Sequence, residues 1–335
     1  MRAFSRWARL SFRLQRWEVL ASIAGVALHA GLALWFAWQL RGIAAGEPAC
    51  PDPNAYVPGC EALSQRFRGL ADWATGLLYL SWGAPFAMGL LLGVPIVSRE
   101  IESGTAATAW TLSRSRIRWL LGRVAFAAAV LVMLLAVVTV VSGVLAVAIM
   151  PNLHLERDFT WIGRRDWLIV GRGLAALGLG VLIGAALGRL LPGLLAAAFA
   201  SVVVFAGLSL AMDRWNETLT VVVDPSGLPD AAPESSGALH VGQRIELPSG
   251  ELVSWSDTAL VGDVQVIDER GRLYTAFDDE TGMPDPTTFV GWDRALVVPG
   301  DRYPQVVARD CAVTIGVGLL ALGGGMAVIR RRRPA

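Results

Sequence analysis

The side chains that do chemistry in most proteins are few in this chain and far apart. Of its 335 residues three are histidine (His29, His154 and His240), three are cysteine (Cys50, Cys60 and Cys311) and none is lysine, so all 29 basic residues are arginine. A Walker A loop sets a lysine on the nucleotide phosphates, and Schiff-base catalysis needs a lysine amine; both chemistries are excluded. The histidines stand in separate regions, and neither HExxH nor GxSxG occurs, which removes the common zinc and serine hydrolase sites. Asp278, Asp279, Glu280 and Asp285 do not follow the EF-hand spacing and read as a solvated loop. No metal site and no resident cofactor are expected on this chain. Cys50 and Cys60 close the short segment ACPDPNAYVPGC, and outside the cytoplasm such a pair forms a disulfide; two free thiols are the alternative. Cys311 reads as a buried free thiol that packs as a small apolar residue. The remaining dense group is Arg99, Glu100, Glu102, Arg114, Arg116, Arg118 and Arg123 around Ser103-Gly104-Thr105. These types suit recognition at a surface: charges for a partner and a glycine for a sharp turn.

The elements around that group explain why it stands there. With 54% hydrophobic residues and positive mean hydropathy, the chain is too apolar for a soluble protein of this length and reads as a polytopic membrane protein. Residues 73–97 and 119–149 flank the charged stretch, and each exceeds the roughly 20 apolar residues needed to cross a bilayer. The segment between them, an elbow over 98–118, therefore sits at a membrane surface. Short arginine-rich loops stay on the cytoplasmic side, which places the elbow there.

Glu100, then Ser103-Gly104-Thr105, an apolar turn, Ser113-Arg114 and a second long span together resemble the cytoplasmic loop of type 2 ABC transporter permeases, the membrane subunits of ABC exporters with the type V exporter fold. Leu112 stands where a proline often precedes the Ser-Arg pair, and Gly122-Arg123 where a lysine often opens the next span. The resemblance implies that the loop forms a short coupling helix in a groove of a separate ABC ATPase subunit, with Glu100, Glu102, Gly104, Thr105 and Arg114 as the coupling residues. It also implies a second permease copy or a related permease as partner, and ATP with magnesium on the ATPase.

The rest of the chain fits six spans. Over residues 2–16, Arg2, Arg6, Arg9, Arg13 and Arg16 fall within one arc of roughly 80° on a helix, beside Phe4, Trp7, Leu10 and Leu14. That pattern predicts an amphipathic helix lying on anionic lipids over residues 1–16, or else a basic flank that orients the first span. Spans follow at about 17–40, 73–97, 119–149, 167–187 and 193–212. His29, mid-span, suits either an interhelical hydrogen bond or a place on a substrate path. Arg172, about five residues into the fourth span, either snorkels or serves as a pathway residue. Gly180, Gly184 and Gly188 give a GxxxG spacing that predicts a closely packed helix pair.

Residues 213–307 hold 17 acidic residues against six arginines, a net of −11, and no long apolar run. Alternating segments at 219–223, 240–247, 252–255, 264–267 and 273–277 predict strands, with Pro248-Ser249-Gly250 and Glu269-Arg270-Gly271 as turns. The last span, about 307–329, ends in Arg330–Arg333, which holds the C-terminus inside. No cleavable signal peptide is evident.

The expected fold is thus an all-α membrane protein of six transmembrane helices. Residues 17–212 carry five of them, a small β-rich extracytoplasmic domain (213–307) is inserted between the fifth and sixth, and 308–335 form the last helix and a basic tail. The expected function is the permease subunit of an exporter in a bacterial plasma membrane, both termini cytoplasmic, with ATPase subunits, a second permease and membrane lipids as partners. Nucleic acid is not expected, because no basic face with aromatics stands outside the spans. The alternative is a membrane-anchored binding or sensor protein that works through its acidic outer domain.

Overall fold

The computed structural model describes residues 12–13, 15–45, 58–106, 108, 110, 115–223, 237–254, 266–267, 272–274 and 288–332. Among these are six helical segments long and apolar enough to cross a membrane. They are α1 (Arg16–Ala45), α2 (Glu61–Gly93) with its continuation α3 (Pro95–Glu102), α4 (Arg116–Ile149), α5 (Leu168–Leu187), α6 (Leu190–Glu217) and α7 (Tyr303–Arg331). The residues fall into two compact units, one drawn from Met1–Leu153, Trp161–Gly207 and Val307–Ala335, the other from His154–Thr160 and Leu208–Val306.

The helical unit is built where small residues let backbones touch. In a bilayer, helix association relies on van der Waals packing, because lipid is as apolar as leucine. One close seam joins α2 to α5: a Cβ at Gly93 would lie 2.6 Å from the Leu177 carbonyl oxygen, and one at Gly184 2.6 Å from that of Val94. Gly180 and Gly184 thus form the predicted pair with the end of α2, while Gly188, at φ +67°, ends α5 in a left-handed cap that an L side chain would strain. A second seam binds α1, α2 and α4 through Ala33, Ala37 and Leu40 (one stripe of α1), Phe67, Leu78 and Leu145. Helix α7 lies on α5, where Gly318 and Gly325 meet Ala175 and Leu182. Helix α6 keeps Leu191, Leu195, Phe199, Val202 and Leu210 exposed on one apolar face.

Several span boundaries change, and α1 runs on to Ala45. Helix α2 starts at Glu61 and not near residue 73. The polar stretch EALSQRFRGLAD continues the span because Ser64, Phe67 and Ala71, at helical spacing, are buried while its charges point outward. Together Glu61–Glu102 cover 42 residues, roughly 63 Å if straight against a hydrocarbon core of about 30 Å. Helices α6 and α7 likewise outrun their predicted spans. Of the predicted N-terminal helix, only Phe12, Arg13 and Gln15 precede α1 among the described residues; the remainder lies outside them, as do Cys50, Arg114 and the acidic run 278–285.

The other unit contains an antiparallel sheet whose strands follow α6 and precede α7 in the chain: β1 (Val221–Val223), β2 (Leu239–Glu246), β3 (Leu252–Ser254), β4 (Val266–Ile267), β5 (Arg272–Tyr274) and β6 (Phe289–Val298). The order is β3-β2-β6-β5-β4, with β1 beside the far half of β6. The central and longest strand, β6, is absent from the sequence expectation. Its buried residues include Gly291, Asp293, Ala295 and Val297, so small and acidic residues occupy the inner face, and the apolar alternation that marks a half-buried strand is hidden. Ile245 and Leu273 pack the core of the sheet.

Candidate functional site at the elbow

The elbow is assembled by the breakdown of α2. Val94 keeps helical angles, and Pro95 at the first position of α3 costs no helical hydrogen bond there. Helix α3 then ends at Ser103, whose N–H donates to the Arg99 carbonyl (3.0 Å), and Gly104 turns the chain at φ +71°. Within this turn the Thr105 hydroxyl donates to Glu100 Oε2 (2.7 Å), and Ser103 and Thr105 share a hydrogen bond (2.8 Å). Beyond the elbow, Ser115 caps α4, its Oγ accepting from the Arg118 N–H (3.1 Å).

Three acidic groups tie the elbow to other helices. Arg123 of α4 donates to Glu100 Oε1 (2.8 Å), with side-chain exposures of only 4% and 13%, and lies over the Trp119 ring at 5.1 Å. Arg99 donates to Glu18 of α1 (2.5 Å). Glu102 accepts from the Leu190 N–H (2.9 Å) at the start of α6, a carboxylate on free N–H groups where the helix dipole favours it. The C-terminal end adds a strap. Arg332 donates to the Ala185 carbonyl (2.5 Å) at the end of α5, and its own carbonyl accepts from Arg116 (2.8 Å), which stacks on Trp110. Every helix of the bundle therefore has a polar tie at this end. Among the described residues, Glu102, Ser103, Gly104 and Thr105 form a continuous exposed tip, and Thr108 beyond it is exposed as well.

The predicted coupling residues thus divide. Gly104 and Thr105 lie at the exposed tip, Glu102 is exposed but also caps α6, and Glu100 is turned inward onto Arg123. Arg114 lies outside the described residues. A group recessed in an ion pair of this kind shapes the tip from behind and offers little charge of its own to a partner.

The other predicted residues are not part of this site. His29 Nε2 is 3.4 Å from Ser142 Oγ of α4, the interhelical pairing that a mid-span histidine needs. Arg172 is at the opposite end of α5, where its guanidinium donates to the Gly163 carbonyl (2.8 Å). The turn it holds contains Trp161 at φ +60° and Gly163 at +75°, and Asp166 closes it by accepting from the N–H groups of Gly163 (2.5 Å) and Leu168 (2.9 Å). Nearby on α7, Asp310 is buried and paired with Arg309 (2.6 Å). Cys60 precedes α2 and is buried, and Cys311 is a half-buried free thiol.

Glu18 and Asp310 are absent from the sequence expectation, Arg332 figures there only within the basic tail 330–333, and Arg123 only as a positive charge at the opening of the next span. A signal was present for Glu18 and Asp310: an acid within an otherwise apolar span is costly unless it finds a partner.

A family model described as ABC-2 membrane transporter related matches residues 23–216, from α1 through α6 and including the whole elbow. No curated protein matches the chain, and no solved structure does.

Proposed function

Because the chain belongs to the ABC-2 membrane transporter related family and is a membrane-spanning transporter subunit, we propose that it forms, with a second permease, the pathway of an ATP-driven exporter moved by separate ATPase subunits. The exposed Glu102–Thr105 tip, braced from behind by the buried Glu100–Arg123 pair, is what carries this proposal. A surface turn that merely connects two spans has no need of a desolvated ion pair, which is neutral at best as a source of stability. A turn that must pass force to the helices does need rigid ties. Displacement of the tip by a closing ATPase pair moves α4 through Glu100–Arg123, α1 through Arg99–Glu18 and α6 through Glu102–Leu190. ATP and magnesium are held on those partner subunits, and this chain performs no hydrolysis.

The elbow end and both termini face the cytoplasm of a bacterial cell in this arrangement, and the sheet-bearing domain faces outward. The Cys50–Cys60 disulfide then braces the first outer segment, in keeping with the burial of Cys60. The test is purification of the tagged full chain from its native membrane in mild detergent. An ATP-binding cassette subunit and magnesium-dependent ATP hydrolysis are expected to accompany it; a folded chain recovered repeatedly without any ATP-binding subunit would overturn the proposal.

A further inference from the structure

We infer that the elbow end of the bundle carries a binding site for one anionic phospholipid, in the groove between the start of α4 and the end of α7. The groove has a volume of about 370 Å³ and is lined by Ile117, Gly323, Met326, Ala327, Arg330 and Arg331. Gly323, Ala327 and Arg331 follow at intervals of four along one face of α7. They form a track of roughly 12 Å that is apolar within the span and cationic where the helix ends. An acyl chain on the apolar part would bring a phosphodiester to the two arginines, whose guanidinium forks match phosphate oxygens.

Two observations separate this groove from ordinary helix packing. Of three consecutive glycines, Gly324 and Gly325 serve the contact with α5, since a Cβ on either would meet Leu182 at 3.2 or 3.3 Å. Gly323 has nothing within 4 Å of that position, so its missing side chain leaves open space on the groove side. The arginines divide in the same way. Arg116 and Arg332 are engaged with backbone carbonyls, whereas Arg330 and Arg331 are exposed and their side chains make no hydrogen bond or ion pair among the described residues. Two free cations over an apolar slot at the end of a membrane helix are complementary to a lipid headgroup. The apolar floor is what disfavours a free soluble anion. The inference rests on the chain being a membrane subunit and is independent of transport direction and of the ATPase.

The full chain, purified and delipidated in detergent, is titrated with phosphatidylglycerol, phosphatidylcholine or inorganic phosphate, and binding is followed by native mass spectrometry and by the shift in thermal unfolding. Phosphatidylglycerol is expected to bind about tenfold more tightly than phosphatidylcholine, and raised salt should narrow that difference. Gly323→Leu keeps every charge and fills open space, so it should fold normally and lose phosphatidylglycerol binding by about tenfold. The Arg330→Gln/Arg331→Gln variant should lose the preference between the lipids. Equal binding of the two lipids by the native chain, equal protection by inorganic phosphate, or unchanged phosphatidylglycerol affinity in Gly323→Leu would each overturn the inference.

Discussion

Arg123 and Glu100 show how far a single pair can organise an end of a bundle. With both side chains largely desolvated, removal of one leaves the other as a buried uncompensated charge, a loss of about 3 to 5 kcal/mol. Arg123→Met should therefore lower the thermal stability of the purified chain steeply, and the exchange Glu100→Arg/Arg123→Glu should recover a large part of the loss. An exchanged pair no better than Arg123→Met would show that more than mutual attraction holds these positions. The His29 contact is weaker. His29→Leu should cost about 0.6 to 2 kcal/mol, the range for interhelical hydrogen bonds in membranes, while transport per assembled complex stays unchanged; altered transport in a complex of native stability would put His29 on the pathway. At this scale the sequence identifies Glu100 by its distance from the Gly-Thr pair, and Gly104 by the turn it must make. It does not reveal that Glu100 faces Arg123, or that Glu18 faces Arg99, 81 residues away. Such pairings arise only once α1, α3 and α4 are packed side by side.

For elements, what limits the bundle is backbone approach. The α2–α5 seam has no room for a Cβ at Gly93, because the obstacle is the Leu177 backbone rather than a flexible side chain. Gly93→Ala should destabilise the chain by about 1 to 3 kcal/mol through forced separation of the helices, measurable as a lower unfolding temperature in detergent; Gly83→Ala, which meets nothing within 4 Å, is the matched control. The helices were legible because apolar runs of sufficient length are unambiguous, and their ends were not, since hydropathy fades where α2 leaves the bilayer although helical burial of Ser64 and Phe67 continues. Strand β6 was missed for the opposite reason: its buried face carries Gly291, Asp293 and Ala295 in place of large apolar residues. The short neighbours β1, β2, β3 and β5 kept a recognisable alternation, and their positions follow the prediction to within a few residues.

For the whole molecule, the account joins an apolar bundle tied together at one end to ATPase subunits that lie outside this chain. Outside the elbow, the proposed Cys50–Cys60 bridge gives a check on which side the first connection faces. Mass spectrometry of unreduced peptides from the native membrane should find the two cysteines linked; both thiols free would remove the disulfide and the argument from it. The central claim is that the Glu102–Thr105 tip touches an ATPase. A photoreactive amino acid placed at Thr105, an exposed tip position, and activated in intact cells measures this directly. The account predicts a covalent adduct whose second component yields peptides of an ATP-binding cassette subunit with its Walker A lysine, and no such adduct from the same probe at the exposed mid-helix Phe199 of α6. Efficient expression of the Thr105 variant with no ATPase adduct, or an ATPase adduct from Phe199 instead, would contradict it.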